Sequence, residues 1–160
     1  KYPIIKCDFF RYLLMYHFGG VYTDLDFLPI RSFQHFLQCL NNDNINYRSN
    51  KTNNEPKIIL SEEWLNSMTL TQSLHNGILI SLETKHPFWL KLLHEIYDDI
   101  IVNKVTISYK NEVFDVSGTK KLCNFYNRHK HIFVDIITLP YYYFCPYVSL
   151  LKTNEKYIYN

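Results

Sequence analysis

The chain has 160 residues, 47% hydrophobic and 17% aromatic, enough for one domain with a substantial core. Its 17 basic and 15 acidic side chains leave a formal charge of +2, too balanced for nucleic acid or an anionic membrane to be the main partner. No run of about 18 apolar residues is present to span a bilayer, and Cys7, Cys39, Cys123 and Cys145 form no CxxC pair, so all four read as small buried residues rather than zinc ligands.

Pro3 suits the first turn of a helix, where its missing N–H is not needed. From Ile4 to Phe18 apolar residues recur at helical spacing (Ile5, Phe9, Leu13, Tyr16), and Gly19–Gly20 end the helix. Val21 to Ile30 reads as extended, interrupted by two aspartates and Pro29, and a short helix follows from Phe33 to Leu40. Residues 41–56 are almost all polar and are expected to form a mobile surface loop. Lys57–Ser61 and Gly77–Leu82 read as buried strands. Pro87 opens a helix to about Ile101, with Phe88, Leu92, Leu93, Ile96 and Ile100 inward. Ser117 or Thr119 is a candidate cap for a helix through Arg128. Ile132–Leu139 returns as a strand, before the aromatic segment Tyr141–Tyr147. Helices and strands alternate without an internal repeat, which predicts an α/β sheet with helices on its faces.

The run FGGVYTDLD, Phe18 to Asp26, carries the chemistry. Two carboxylates one residue apart repel and lose hydration, so the pattern needs a positive partner. In an extended segment Tyr22, Asp24 and Asp26 share one face. Hard oxygen ligands suit Mg²⁺ or Mn²⁺, which commonly bind through one or two carboxylates and complete their shell with phosphate oxygens and water. A bare D-x-D is frequent by chance and carries little alone. Upstream, Asp8 and Arg11 lie three apart and share a helix face.

Taken together, D-x-x-R-Y (Asp8, Arg11, Tyr12) followed by G-G-V-Y-x-D-x-D resembles the sugar-binding region of glycosyltransferase family 32. That family includes yeast-type initiating mannosyltransferases and is similar to the large clostridial glucosylating toxins. The resemblance is dense over Lys6 to Pro29 and weaker over Leu74 to Trp89. It implies a GT-A-type nucleotide-sugar transferase fold with a mixed, mostly parallel sheet flanked by helices. It also implies a retaining, Mn²⁺- or Mg²⁺-dependent transfer of a hexose from a nucleotide-diphosphate sugar to a glycan, lipid or protein acceptor. Carried over residue by residue, Asp8 and Arg11 would bind the donor's sugar hydroxyls, with Tyr12 packed behind them. Tyr22 would lie against the nucleoside, Asp24 would touch ribose and metal, and Asp26 would be the direct metal ligand. Asn76, in His75-Asn76-Gly77, would approach the sugar at its reacting carbon. Asp26 and Asn76 thus stand closest to the chemistry, while His75 and His86 read as structural.

Where relatives often read T-G-P, this chain has Ser117-Gly118-Thr119, which leaves that loop's contact open. The resemblance also implies that a first strand with the base pocket should precede Lys1 and a metal-holding segment should follow Asn160. Residues 1–160 are accordingly expected to be the central part of one catalytic domain. The compartment would be the cytoplasm for a bacterial or viral protein and the Golgi lumen for a eukaryotic glycan-processing enzyme. Two other readings compete: a non-catalytic sugar-nucleotide binder of the same fold, and a haloacid-dehalogenase-type D-x-D phosphatase. The phosphatase has no place for D-x-x-R-Y, and the only adjacent aspartate pair, Asp98–Asp99, falls at a helix end.

Overall fold

The computed structural model describes residues 3–29, 32–41, 55–63, 73–107 and 112–144. Most of the predicted 41–56 loop, together with Ile30, Cys145 and the end of the aromatic segment, lies outside them.

Helix α1 spans Pro3–Phe18. Its buried residues are Asp8, Arg11, Tyr12 and Met15, the spacing of a single helical stripe. The apolar series Ile5, Phe9, Leu13 and Tyr16 flanks this stripe and is only partly buried. The inward face of α1 is therefore the one that carries two opposite charges. Cys7 consequently points outward and Cys39 is half-buried, so of the described cysteines only Cys123 is buried as expected.

Gly19 and Gly20 follow with φ of 61° and 78°, a left-handed backbone that suits glycine. A Cβ on Gly19 would also stand 2.9 Å from the Ser81 carbonyl oxygen. The glycines thus turn α1 directly into strand β1, Gly20–Thr23. Helix α2 is Phe33–Asn41, strand β2 Ile58–Glu62 and strand β3 Leu74–Ser81. Helix α3, Pro87–Tyr97, runs into a π-helical turn at Asp98–Val102, so the helix predicted to reach Ile101 changes winding in its last turn. Short α4 (Val113–Val116) and α5 (Thr119–His129) precede strand β4, Ile136–Leu139, and a 3₁₀ turn at Tyr141–Tyr143. The last strand is shorter than predicted because Ile132 and Phe133 bond back to the His129 carbonyl, closing α5.

The sheet order is β1-β3-β2-β4. β3 is antiparallel to both β1 and β2, and only β2 with β4 is parallel. The sheet is mixed, as expected, but within the described residues it is not mostly parallel. β4 follows β2 only after β3, α3, α4 and α5, a crossover long enough for parallel pairing.

Residues alternate between two cores. Ile58, Leu60 and Leu79 face Tyr12, Trp89, Leu92, Leu122 and Phe125 of α1, α3 and α5. Ile59, Ile80 and Ile137 face α2 through Leu40, with Phe33 and Phe36 packed alongside. Helices therefore cover both faces of the sheet. His86 caps α3: its Nδ1 accepts from the Phe88 N–H at 3.2 Å, and its Nε2 lies 3.2 Å from Asp135 Oδ2. Since Nδ1 is the acceptor, the proton sits on Nε2 and is donated to Asp135.

Candidate functional site

The carboxyl ends of β1, β2 and β4 and the amino end of β3 share one edge of the sheet. Thr23 lies opposite Ile78, and Ser61 lies opposite both His75 and Leu139. Open α/β sheets commonly bind ligands beyond the carboxyl ends of their strands.

At this edge β3 bulges. Leu60 pairs with Leu79, but the next β2 residue, Ser61, pairs with His75, so Asn76, Gly77 and Ile78 stand outside the β2 ladder. The bulge frees Asn76 to meet α1. Its Nδ2 donates to Asp8 Oδ1 at 3.1 Å, and its carbonyl accepts from Arg11 at 2.6 Å. Gly77 is required by a close approach: an added Cβ would stand 2.8 Å from Asp24 Oδ2 and 2.6 Å from the His75 ring. His75 Nδ1 accepts the Gly77 N–H at 2.9 Å, and the Gly77 carbonyl accepts the Asp24 N–H at 2.8 Å.

Arg11 joins the two halves of the motif. Its guanidinium lies 3.2 Å from Asp24 Oδ1, 3.5 Å from Asp8 Oδ1 and 5.1 Å over the Tyr22 ring. Only 6% of Arg11 and 3% of Asp8 are exposed, so the pair is no surface ion pair. Burial pushes the Asp8 carboxyl up, against hydrogen bonds from Ser117 and Asn76 and the charge of Arg11. Tyr22 donates to Asp24 Oδ1 at 2.8 Å; burial and that hydrogen bond push its phenol up to about 12. Tyr12 is fully buried, stacks on Trp89 and donates to the Ser117 carbonyl at 3.0 Å. Burial, with Asp8 nearby, raises its phenol further still.

Five of the six predicted site residues, Asp8, Arg11, Tyr22, Asp24 and Asn76, therefore form one connected cluster. Asp26 does not join it. The strand ends at Thr23 and the chain turns, with the Phe27 N–H donating to the Asp24 carbonyl at 3.2 Å. The single extended face predicted for Tyr22, Asp24 and Asp26 stops at Asp24. Asp26 is exposed, and among the described residues nothing hydrogen-bonds or pairs with its carboxylate. Ser117 was predicted only as a possible helix cap. Gly118 takes that position instead, without a side-chain bond, and Ser117 Oγ donates to Asp8 Oδ2 at 2.9 Å. The sequence signal for this was Ser117 itself, in the motif position whose contact stayed open.

Part of the positive charge demanded by the paired carboxylates is thus Arg11. Two carboxylates, Asp8 and Asp24, face the one Arg11 guanidinium, so one negative charge of the cluster is left over. Among the described residues no group of three or more His, Cys, Asp or Glu could hold a metal by itself. Asp24 and Asp26 are hard carboxylates of the type that hold a divalent cation whose other ligands come from a diphosphate and water.

A mixed α/β protein with an Arg-bridged carboxylate pair at the edge of its sheet where β1, β2 and β4 end is what the fold and site define. Within that class, residues 1–52 match the family described as glycosyltransferase sugar-binding region containing DXD motif. Over 35 residues the chain is also 40% identical to the initiation-specific alpha-1,6-mannosyltransferase of Schizosaccharomyces pombe, covering 22% of this chain and 9% of that protein. No solved structure matches the chain.

Proposed function

We propose that this chain is the donor-binding part of a retaining, metal-dependent glycosyltransferase that moves a hexose from a nucleotide-diphosphate sugar. The observation that carries this reading is Arg11, a single buried cation that ties Asp24 of the D-x-D strand to Asp8 and Asn76. It links the place where a diphosphate would bind to the place where a sugar would bind. The family match over residues 1–52 supports sugar binding, and the yeast relative's printed activity makes a mannosyl donor one member of the set to test.

In this reading Asp26 and Asp24 hold Mn²⁺ or Mg²⁺, which when bound neutralises the diphosphate and makes it a better leaving group. Asp8 and Arg11 orient the sugar hydroxyls, Tyr22 lies against the nucleoside, and Asn76 stands at the reacting carbon. Asp8 and Asp24 are both engaged by Arg11 and by neutral donors. A carboxylate so engaged is a weak nucleophile, which favours attack by the acceptor hydroxyl on the face the diphosphate leaves. The acceptor is a glycan, lipid or protein hydroxyl. The test is a hydrolysis screen of the full-length protein with Mn²⁺ against GDP-mannose, UDP-glucose, UDP-galactose and UDP-N-acetylglucosamine. Turnover of one donor, abolished by chelation, is expected; no turnover or binding of any donor would sink the reading.

A further inference from the structure

Ser117 is completely buried in the turn between α4 and α5, 109 residues along the chain from Asp8. Its hydroxyl has one proton and two acceptors in range: Asp8 Oδ2 at 2.9 Å and the Val113 carbonyl at 3.5 Å. The shorter contact to an ionised group is the stronger one. The Ser117 carbonyl accepts the Tyr12 hydroxyl at 3.0 Å, so the same residue is tied to α1 at two points. Asn76 and Arg11 approach the other Asp8 oxygen, Oδ1, at 3.1 and 3.5 Å.

An ionised carboxylate has about four lone-pair directions and only accepts hydrogen bonds. With Oδ1 held by Asn76 and Arg11, the Ser117 hydroxyl supplies the second fixed point, on Oδ2, against rotation of the carboxylate. We infer that Ser117 is a positioning residue for donor-sugar recognition: its hydroxyl locks Asp8 Oδ2, fixing which acceptor direction remains for a sugar hydroxyl. Asp8 is nearly enclosed, so its orientation decides which hydroxyl it meets. This inference rests on the donor-binding reading above.

The experiment uses the full-length protein and whichever nucleotide sugar the screen identifies. Ser117→Ala should raise KM for that donor roughly tenfold, the size of one hydrogen bond to a charged group. Inhibition by the matching nucleoside diphosphate, which carries no sugar, should be unchanged. Ser117→Thr, which keeps the hydroxyl, should restore KM. If Ser117→Ala fails to fold, Ser117→Cys fills the same space with a weak donor and carries the same expectation. An unchanged KM, or equal losses for donor and nucleoside diphosphate, would show that Ser117 only packs the turn. A screen without turnover or binding would overturn the donor reading and this inference together, whereas an indifferent KM overturns this inference alone.

Discussion

The Arg11 guanidinium is surrounded by two carboxylates and a carbonyl, and its Nε has no partner among the described residues. Lysine offers a point charge without the planar fork, so it cannot reach Asp8, Asp24 and the Asn76 carbonyl at once. Arg11→Lys should therefore lower the stability of the fold, and Arg11→Ala should lower it by roughly 3–5 kcal/mol, the cost of stranding buried carboxylates. Urea unfolding of the two variants measures this; an Arg11→Ala change below about 1 kcal/mol would mean that the cluster is well hydrated. Asp8 behaves in the opposite sense. Its folded-state pKa is raised, chiefly by burial, so the folded chain holds this proton more tightly than the unfolded chain. Ionised Asp8 then costs stability, a cost that is absent below the unfolded pKa and grows as pH rises through the folded value. Asp8→Asn should flatten that acid-side slope in unfolding free energy while weakening donor binding. A slope unchanged by Asp8→Asn would assign it to other carboxyls. Asp26 is exposed and has no partner among the described residues, so Asp26→Asn should leave the melting temperature within a degree or two of the parent. Mn²⁺-dependent turnover should nevertheless be lost.

Between elements, Lys121 of α5 is a second buried cation among the described residues. Its Nζ lies 2.6 Å from Glu95 Oε1 on α3 and 2.6 Å from Asp99 Oδ2 in the π-helical turn. Glu95 and Asp99 are four residues apart, so without a cation between them they repel. Burial pushes the Glu95 carboxyl up, but Lys121 and Arg128 outweigh it and the net shift is downward. A lowered carboxyl pKa contributes stability that is present above the unfolded value and lost as pH falls through the folded one. Lys121→Ala should therefore cost roughly 2–3 kcal/mol at neutral pH, less than a fully buried pair because both carboxylates are partly exposed. The deficit should shrink towards acid pH as Glu95 protonates. Thermal unfolding of the variant at neutral and acid pH tests this, and an equal deficit at both would point to lost packing by the lysine stem instead.

For the molecule as a whole, no group of three or more His, Cys, Asp or Glu among the described residues could hold a metal ion by itself. Mn²⁺ alone should therefore barely move the melting temperature of the full-length protein. Mn²⁺ with a nucleoside diphosphate should raise it by several degrees, because ligand binding stabilises the folded state by mass action. A large shift with Mn²⁺ alone would reveal a self-sufficient metal site. Much of the architecture is written in local patterns: Pro3 and Gly19–Gly20 bracket α1, Pro87 opens α3, and Ile58–Leu60 reads as a buried strand. The motif residues of the glycosyltransferase sugar-binding region are legible for the same reason, since their spacing is a property of the chain. Three features were not: which face of α1 turns inward, where β1 stops, and what Ser117 touches. Apolar periodicity points Ile5, Phe9, Leu13 and Tyr16 to the core, yet the sheet edge, with the Asn76–Gly77 bulge, supplies polar partners that make the Asp8–Arg11 stripe the buried one. Local sequence determined the elements and the list of chemical groups. Tertiary structure alone decided which charges face one another, because a buried charge is tolerated only where distant segments bring it a partner.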